Sequence, residues 1–166
     1  FGFDYIFVET VGVGQSEVSV SNIVDLFILL MQPGSGDELQ GIKRGILEVS
    51  DLVIVNKSDG EQMNISKIAE HDYRRSIGIL QGHSEFETKV LRCSGLFKKG
   101  FDDILDSMDA FFKFYNEKNL LNEKRQLQMR NWMTDLIKNK FEMRMKESAE
   151  FNQRFASDLI RVQNAE

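Results

Sequence analysis

The sequence predicts an α/β fold with a mainly parallel sheet, followed by a helical C-terminal extension. Three observations support this class: short continuous apolar runs, helical periods between them, and a long C-terminal stretch without helix breakers. Strands with continuous apolar residues are typically buried on both faces, as in a parallel sheet. Their alternation with helices over short connections is typical of a doubly wound sheet with right-handed crossovers.

Four apolar runs are the predicted strands, and each is followed by turn residues such as Gly, Asn or Ser. The runs are Phe3–Val8, Leu26–Met31, Leu52–Val55 and Lys89–Cys93. Ligands of doubly wound sheets bind beyond the carboxyl ends of the strands. The glycine-rich and polar segments that follow the four runs all lie at those ends, so a ligand site is expected there.

Helical periodicity fills the gaps between the strands. One helix is predicted after the acidic pair Asp37–Glu38, a second with Asn64 as its N-cap, and a third after Gly100. The 66 residues that follow Gly100 contain neither Gly nor Pro. They predict long helices with a bend near Asn116–Asn122.

Two apolar stripes run along these C-terminal helices and need to be covered, by a partner chain or by the parent domain. The first contains Trp132, Met133, Leu136, Ile137 and Phe141, and the second contains Phe151, Phe155, Leu159 and Val162. Association with a partner is the simpler interpretation. We therefore divide the chain into an α/β portion, residues 1–116, and a helical extension for dimerisation or partner binding, residues 117–166.

Charge and cysteine content exclude several classes of function. The net charge is −5, and residues 1–116 hold 11 Lys and Arg against 18 Asp and Glu. An acidic domain has no general attraction to nucleic acid or anionic lipid, so neither is an expected partner. No apolar run is long enough to span a bilayer. The single cysteine, Cys93, excludes an internal disulfide framework and fits a reducing compartment.

The sequence Asn56-Lys57-Ser58-Asp59 directly follows a predicted buried strand. An Asp carboxylate at this place can accept both N–H groups on one edge of guanine. Adenine presents an acceptor there and would leave the carboxylate badly paired. The Asn side chain can bond the other edge of the base and join neighbouring loops, while the Lys stem can lie along the ring. The alternative is an ordinary strand-to-helix turn.

Ser94-Gly95-Leu96 follows the next predicted strand, where a nucleotide base would meet a second loop. Backbone N–H groups there could bond the guanine oxygen. Ser-Gly turns are common, so this hypothesis depends on the position of Ser94 one strand after Asn56.

The segment that begins at Glu9 follows the first predicted strand and contains Gly12 and Gln15. A carboxylate at a strand end can hold a magnesium-bound water. A glycine three residues later lets its backbone N–H approach a terminal phosphate, and Gln15 could orient an attacking water. The alternative is a glycine-rich turn before a helix.

The loop Pro33–Lys43 is expected on the same sheet edge and could present Asp37, Gln40 or Lys43 to a ligand or a partner. The alternative is a helix start with acidic residues in its first turn. His71, His83 and Cys93 have no metal-ligand spacing and are interpreted as surface or core residues.

Together, the strings Glu9–Glu17, Gln32–Lys43 and Asn56–Gly60 resemble the methylmalonyl-CoA mutase-associated GTPase chaperones. The resemblance covers residues 1–116 and continues more weakly into the tail, around Trp132-Met133. It implies the C-terminal portion of a P-loop NTPase domain of the SIMIBI type, with GTP or GDP and Mg²⁺ as ligands.

The resemblance also implies roles for individual residues. Glu9, through a water on Mg²⁺, and Gly12 fall in the second switch, with Gln15 close by. Asp37, Gln40 and Lys43 fall in a further switch that responds to the mutase. We therefore count Glu9, Gly12, Gln15 and Lys43 as candidate catalytic residues, and Asp37 and Gln40 as candidate nucleotide contacts.

For the base, the resemblance matches Asn56, Lys57 and Asp59 to the guanine motif. It matches Ser94-Gly95-Leu96 to a Ser-Ala-Leu string in which Gly95 replaces the usual Ala. If the backbone N–H makes the bond to guanine, this replacement is expected to matter little.

The implied function is that of a homodimeric GTPase chaperone, cytoplasmic or in the mitochondrial matrix, that gates cofactor loading and protection of an adenosylcobalamin-dependent mutase. No Gly-x-x-x-x-Gly-Lys-Ser/Thr string occurs in the 166 residues, so we expect the isolated chain to bind GTP poorly. The alternatives are a catalytically incompetent dimerisation or partner-binding fragment and a nickel-delivering GTPase of a related branch.

Overall fold

The computed structural model describes residues 2–10, 16–34, 44–81 and 85–163. Within these ranges the sheet has three parallel strands in the order β1-β2-β3, namely Ile28–Met31, Leu52–Val55 and Lys89–Arg92. The predicted α/β class and parallel sheet are confirmed, and three of the four predicted strands are present.

Helices precede, separate and follow the strands. In chain order they are α1 (Ser16–Ser21), α2 (Arg44–Glu48), α3 (Met63–Leu80), α4 (Phe101–Glu117), α5 (Leu120–Glu147) and α6 (Ala149–Gln163). None of the described helices has both the length and the apolar character that crossing a membrane requires.

The core lies on both faces of β2, whose four side chains are all buried. Alternate residues of a strand point to opposite faces, so one strand can serve two layers. Val53 belongs to a cluster that includes Tyr73 of α3, whereas Ile54 belongs to a second cluster that includes Ile104 of α4. Helices therefore cover both faces of the central strand, which explains its continuous apolar sequence.

The prediction of a strand at Phe3–Val8 is wrong, because residues 2–10 form no strand. Phe3, Ile6 and Phe7 are exposed there. An extended apolar segment becomes a strand only when its backbone pairs with a neighbouring strand. Among the described residues, β1 pairs with β2 and β2 pairs with β3, and no β pairing involves residues 2–10.

One helix start differs from the prediction. Helix α3 begins at Met63 with Gln62 as its N-cap rather than after Asn64. The reason is a 3₁₀ turn, Gly60–Gln62, in which Gly60 adopts φ +51° directly after Asp59 and starts the helical path early. The predicted start of the preceding helix at Asp37–Glu38 lies outside the described residues. The predicted bend is confirmed, since Asn119 with φ +58° separates α4 from α5.

The chain divides into two compact units, Phe1–Arg125 and Gln126–Glu166, so the boundary falls within α5. The predicted division at residue 116 separates functions rather than compact units and stays a prediction. The first unit includes the start of α5 because Arg125 makes a bidentate pair with the Asp25 carboxylate at 2.8 and 2.6 Å. The hydrogen bond between the two side chains lowers the pKa of Asp25 and raises the pKa of Arg125.

A neighbouring lysine strengthens this attachment. Lys124 Nζ donates to the backbone oxygen of Asp25 at 2.7 Å and lies 3.1 Å from Asp51 Oδ2. The same Asp51 oxygen accepts the backbone N–H of Phe27 at 2.8 Å. The N-terminal part of α5 is thus bound to the segments that precede β1 and β2.

Gln81, immediately after α3, joins three segments of the first unit. Its side-chain nitrogen lies 3.0, 2.9 and 3.0 Å from the backbone oxygens of Leu47, Glu48 and Ser50. Its side-chain oxygen accepts the Thr88 hydroxyl at 2.5 Å. One amide therefore satisfies carbonyl groups left over at the C-terminal end of α2 and holds them near the start of β3.

Candidate functional site

The strand register brings the carboxyl ends of the three strands to one edge. Met31 pairs with Val55, and Val55 pairs with Arg92. The next residue of each strand, namely Gln32, Asn56 and Cys93, therefore starts a loop at this edge. The parallel-strand argument predicted that loops from different parts of the sequence meet here.

Backbone hydrogen bonds fix the loop that follows β2 to both neighbours. The Asn56 N–H donates to the Met31 oxygen at 2.8 Å, and the Ser58 N–H donates to the Cys93 oxygen at 2.9 Å. The Ser58 hydroxyl donates back to the Val55 oxygen at 2.8 Å. The Asn56-Lys57-Ser58-Asp59 sequence thus has a defined path, held on each side by an adjacent strand end.

The Asn56 side chain joins this loop to the loop after β3. Its Oδ1 accepts the N–H of Lys57 at 2.7 Å and the N–H of Gly95 at 3.1 Å. Burial raises the pKa of the Cys93 thiol, so the thiol stays neutral and can donate to the same oxygen at 3.5 Å. The predicted role of Asn56 in joining neighbouring loops agrees with these contacts.

Gly95 is expected to accept a methyl group. A Cβ added there would lie 3.6 Å from Asn56 Oδ1 and 3.8 Å from Asn56 Nδ2, which is ordinary van der Waals contact. The Gly95 N–H already donates to Asn56 in this structure. Its amide therefore stabilises the junction of the two loops, and a bond to guanine stays a prediction.

Asp59 is held by a side-chain hydrogen bond across the two loops. The hydroxyl of Ser94, which is buried, donates to Asp59 Oδ2. The Ser94 oxygen in turn accepts the Phe97 N–H at 3.1 Å. Charge-assisted bonds of this kind are among the stronger hydrogen bonds in proteins. Within the described ranges, the second Asp59 oxygen has no hydrogen bond, so it can accept a ligand donor.

Lys57 contacts the first of the three strand-end loops. It adopts φ +58°, and its Nζ lies 3.0 Å from the side-chain oxygen of Gln32. A positive φ is uncommon for a residue other than glycine and often marks a functional position. Sequence reasoning assigned Lys57 to the base but missed Gln32, because a single glutamine after a strand has no distinguishing pattern.

The loop after β3 is closed by two backbone hydrogen bonds between Ser94 and Lys99, of 3.0 and 3.2 Å. Leu96, at the tip, is mostly exposed. Gly100 ends the loop at φ +79°, and a Cβ added there would lie only 2.4 Å from the Arg92 backbone oxygen. Sequence reasoning used Gly100 only as a helix start and missed this close approach, because sequence spacing does not show backbone packing.

The predicted phosphate-side residues are not brought into this cluster by the described structure. Glu9 is exposed and makes no hydrogen bond to a described residue. Gly12 and Gln15 lie outside the described residues. Asp37, Gln40 and Lys43, the predicted contacts in the loop Pro33–Lys43, also lie outside the described residues.

The described residues do not by themselves form a magnesium site. Among them there is no group of three His, Cys, Asp or Glu side chains that could hold a metal ion. Glu9 is the predicted carboxylate, and one exposed carboxylate does not provide the six oxygen ligands that Mg²⁺ requires. We therefore assign no chemical step to a metal bound by these residues.

A cavity of about 600 Å³ lies elsewhere in the first unit. Its lining combines apolar side chains, such as Phe3, Phe7 and Met108, with polar ones, such as Asp25 and Arg125. It touches Ile28 at the amino end of β1, whereas the polar loops lie at the carboxyl ends of the strands. Since ligands of parallel α/β sheets bind beyond the carboxyl ends of the strands, we place the candidate site at the loops.

The whole described fold has a close match among solved structures. A crystal structure of an LAO/AO transport system kinase superposes with a TM-score of 0.86 at 34% identity, covering 99% of this chain and 53% of that one. The fold and the strand-end loops define an α/β protein of the P-loop NTPase class.

The family is shown at the level of sequence. The model of the methylmalonyl Co-A mutase-associated GTPase MeaB matches residues 1–150, and the chain belongs to this family. It is 37% identical to GTPase ArgK of Escherichia coli over 164 residues, which cover 98% of this chain and 50% of ArgK.

A mouse protein named methylmalonic aciduria type A homolog, mitochondrial, is 43% identical over 137 residues. That match covers 82% of this chain and 33% of the mouse protein. The chain thus spans about half the length of ArgK and about a third of the mouse relative.

Proposed function

We propose that the intact protein binds and hydrolyses GTP, and that it acts as a chaperone for an adenosylcobalamin-dependent methylmalonyl-CoA mutase. In this role it gates loading and protection of the mutase cofactor. The observation that carries the GTP assignment is the Asp59 carboxylate, held by Ser94 at the junction that Asn56 makes between two strand-end loops. Membership of the mutase-associated GTPase family supports the choice of partner.

The chemistry of this carboxylate favours guanine over adenine. Guanine presents two N–H donors on one edge, and a carboxylate can accept both in a bidentate, charge-assisted pair. Adenine presents a ring acceptor at the corresponding place, so the carboxylate would lose its solvent without gaining a partner. Because Ser94 fixes one oxygen of Asp59, the carboxylate has its orientation before the base arrives.

The test exchanges the hydrogen-bonding pattern of Asp59 without changing its shape. Asp59→Asn offers one acceptor and one donor, which matches xanthine, whose second group is a carbonyl oxygen. We expect this variant of the intact protein to bind GDP about 100-fold more weakly, since a lost charge-assisted bond costs about 2–3 kcal/mol. It should also bind xanthosine diphosphate more tightly than the wild type does.

Asp102→Asn is the matched control. It makes the same chemical change at an exposed position in the first turn of α4. Unchanged GDP affinity in Asp59→Asn, or an equal loss in the control, would refute guanine recognition by Asp59.

Hydrolysis is proposed to depend on positioning and electrostatics at the terminal phosphate, as in other phosphoryl transfers. By family resemblance, Glu9, Gly12 and Gln15 serve the phosphate side. Asp37, Gln40 and Lys43 form the segment that responds to the mutase.

We expect Lys43→Ala to reduce mutase-stimulated GTP hydrolysis more than basal hydrolysis. Lys67→Ala removes the same charge from an exposed position on α3 and should leave both rates unchanged. Equal loss of the two rates in Lys43→Ala would contradict a role for this segment in the response to the mutase.

We further propose that the C-terminal helices mediate homodimerisation. Large apolar side chains on α5 are exposed along much of the helix, including Trp132 at 60% and Phe141 at 63%. Exposed apolar surface on this scale is typical of an interaction surface. The proposed compartment is the cytoplasm, or the mitochondrial matrix in a eukaryote.

Size-exclusion chromatography with light scattering measures the molar mass of the protein and so tests whether it is a dimer. Trp132→Glu should convert the dimer to a monomer, because it places a charge in an apolar interface. Asn131→Glu adds the same charge at the neighbouring exposed position and should leave the dimer intact. A monomeric wild type, or a dimer that survives Trp132→Glu, would exclude this surface.

A further inference from the structure

The hydrogen bond between Gln32 and Lys57 connects two loops at the proposed base site. Lys57 Nζ lies 3.0 Å from Gln32 Oε1, and both residues lie just beyond the ends of adjacent strands. The backbone supports this meeting, because the Asn56 N–H donates to the Met31 oxygen at 2.8 Å. Each member of the pair therefore directly follows a residue that is held at the sheet edge.

The partner of Lys57 determines where its charge lies. A lysine stem has many rotamers, and ordering an exposed one costs conformational entropy. The left-handed backbone of Lys57 and the bond from its N–H to Asn56 direct the start of the side chain. The Gln32 oxygen then holds the far end. This acceptor is a neutral amide oxygen, so the contact is a hydrogen bond and not an ion pair.

We propose that Gln32 is a positioning residue that orders the Lys57 stem for the guanine ring. This inference rests on the proposed function, since it assumes that the base lies against Lys57. Gln32 would lower the affinity cost of ordering the lysine when nucleotide binds. Because Pro33 follows it directly, Gln32 also places the start of the predicted partner-responsive loop beside the base site.

The experiment is a double-mutant cycle on GDP binding by the intact protein, with fluorescent GDP as the probe. Gln32→Ala should raise the Kd about three- to tenfold, as expected for loss of one hydrogen bond to a charged group at an exposed site. Gln32→Glu should bind at least as tightly as the wild type, because it keeps the acceptor and adds charge. In a Lys57→Met background, Gln32→Ala should change the Kd less than about twofold, since coupled residues are not additive.

Thermal unfolding serves as the structural readout and should not change in Gln32→Ala, because the pair is exposed. Equal effects of Gln32→Ala with and without Lys57, or a Kd like that of the wild type, would overturn the inference. If the wild type nevertheless prefers GDP to ADP, only the role of Gln32 is wrong and the guanine assignment still holds. A wild type without that preference overturns the proposed function together with this inference.

Discussion

Gly100→Ala tests whether the loop after β3 depends on a close backbone approach. The residue has φ +79°, and an added Cβ would lie 2.4 Å from the Arg92 oxygen and 3.2 Å from Cys93 Cα. Both neighbours are backbone atoms of the strand end, so no side chain can rotate away to make room. Non-bonded carbon contacts prefer about 3.5–4.0 Å, so the loop end would have to shift by about 1 Å.

Two contributions set the expected loss of stability. An L-residue other than glycine in the left-handed region costs about 1 kcal/mol or slightly more. Forcing extra atoms into a packed position adds about 1–3 kcal/mol. The free energy of unfolding should therefore fall by about 2–4 kcal/mol, which corresponds to roughly 4–16 °C in Tm for a protein of this size.

The matched control is Gly78→Ala. Gly78 lies inside α3, and an added Cβ there meets no atom within 4 Å. Alanine is favoured over glycine in a helix, so this variant should be more stable than the wild type by about 0.5–1 kcal/mol. The same methyl group should thus have opposite effects at the two positions.

Urea unfolding measures both variants, and GDP binding provides a second readout. Gly100→Ala should also weaken GDP binding, because the displaced loop carries Ser94, which holds Asp59. If Gly100→Ala unfolds at the same urea concentration as the wild type, the close approach to Arg92 does not constrain the loop and the reasoning is refuted.

Three further predictions concern the hydrogen-bond network. Ser94→Ala should raise the Kd for GDP about tenfold or more, because Asp59 loses a charge-assisted bond worth about 1.5–3 kcal/mol; a titration like that of the wild type would contradict this. Asp25→Asn should flatten the fall in stability below about pH 4. The hydrogen bond from Arg125 lowers the folded-state pKa of Asp25, so its stabilisation is present above the unfolded pKa of about 3.9 and is lost as the pH falls through the folded value. Urea unfolding at several pH values measures this, and identical slopes for both proteins would contradict it. Gln81→Leu should lower the free energy of unfolding by about 1–3 kcal/mol, because the backbone oxygens of Leu47, Glu48 and Ser50 each lose a donor. An unchanged urea midpoint would count against the network.

The central strands were predictable because burial on both faces gives a continuous apolar run. The run Leu52–Val55 is β2 to the residue, and its side chains serve the α3 and α4 layers. The run Phe3–Val8 is also mostly apolar but forms no strand. An apolar composition predicts burial, whereas a strand also needs a neighbouring strand with which its backbone can pair.

The meeting of the two base-side loops was predictable from topology, since parallel strands deliver their ends to one edge. The bonds from Gly95 to Asn56 and from Ser94 to Asp59 agree with that expectation. The link between Gln32 and Lys57 depends on side-chain rotamers, which have no periodic pattern in the sequence. The functions of Asn56 and Asp59 toward a nucleotide remain predictions that binding experiments test.

The most direct test of guanine recognition at the strand-end loops is the ratio of the dissociation constants for ADP and GDP, measured with the intact protein. We predict that GDP binds at least about 100-fold more tightly, since a carboxylate facing the wrong base edge loses about 3 kcal/mol. The preference should disappear in Asp59→Ala. A ratio near one in the wild type, or a preference that persists without the Asp59 carboxylate, would contradict the account.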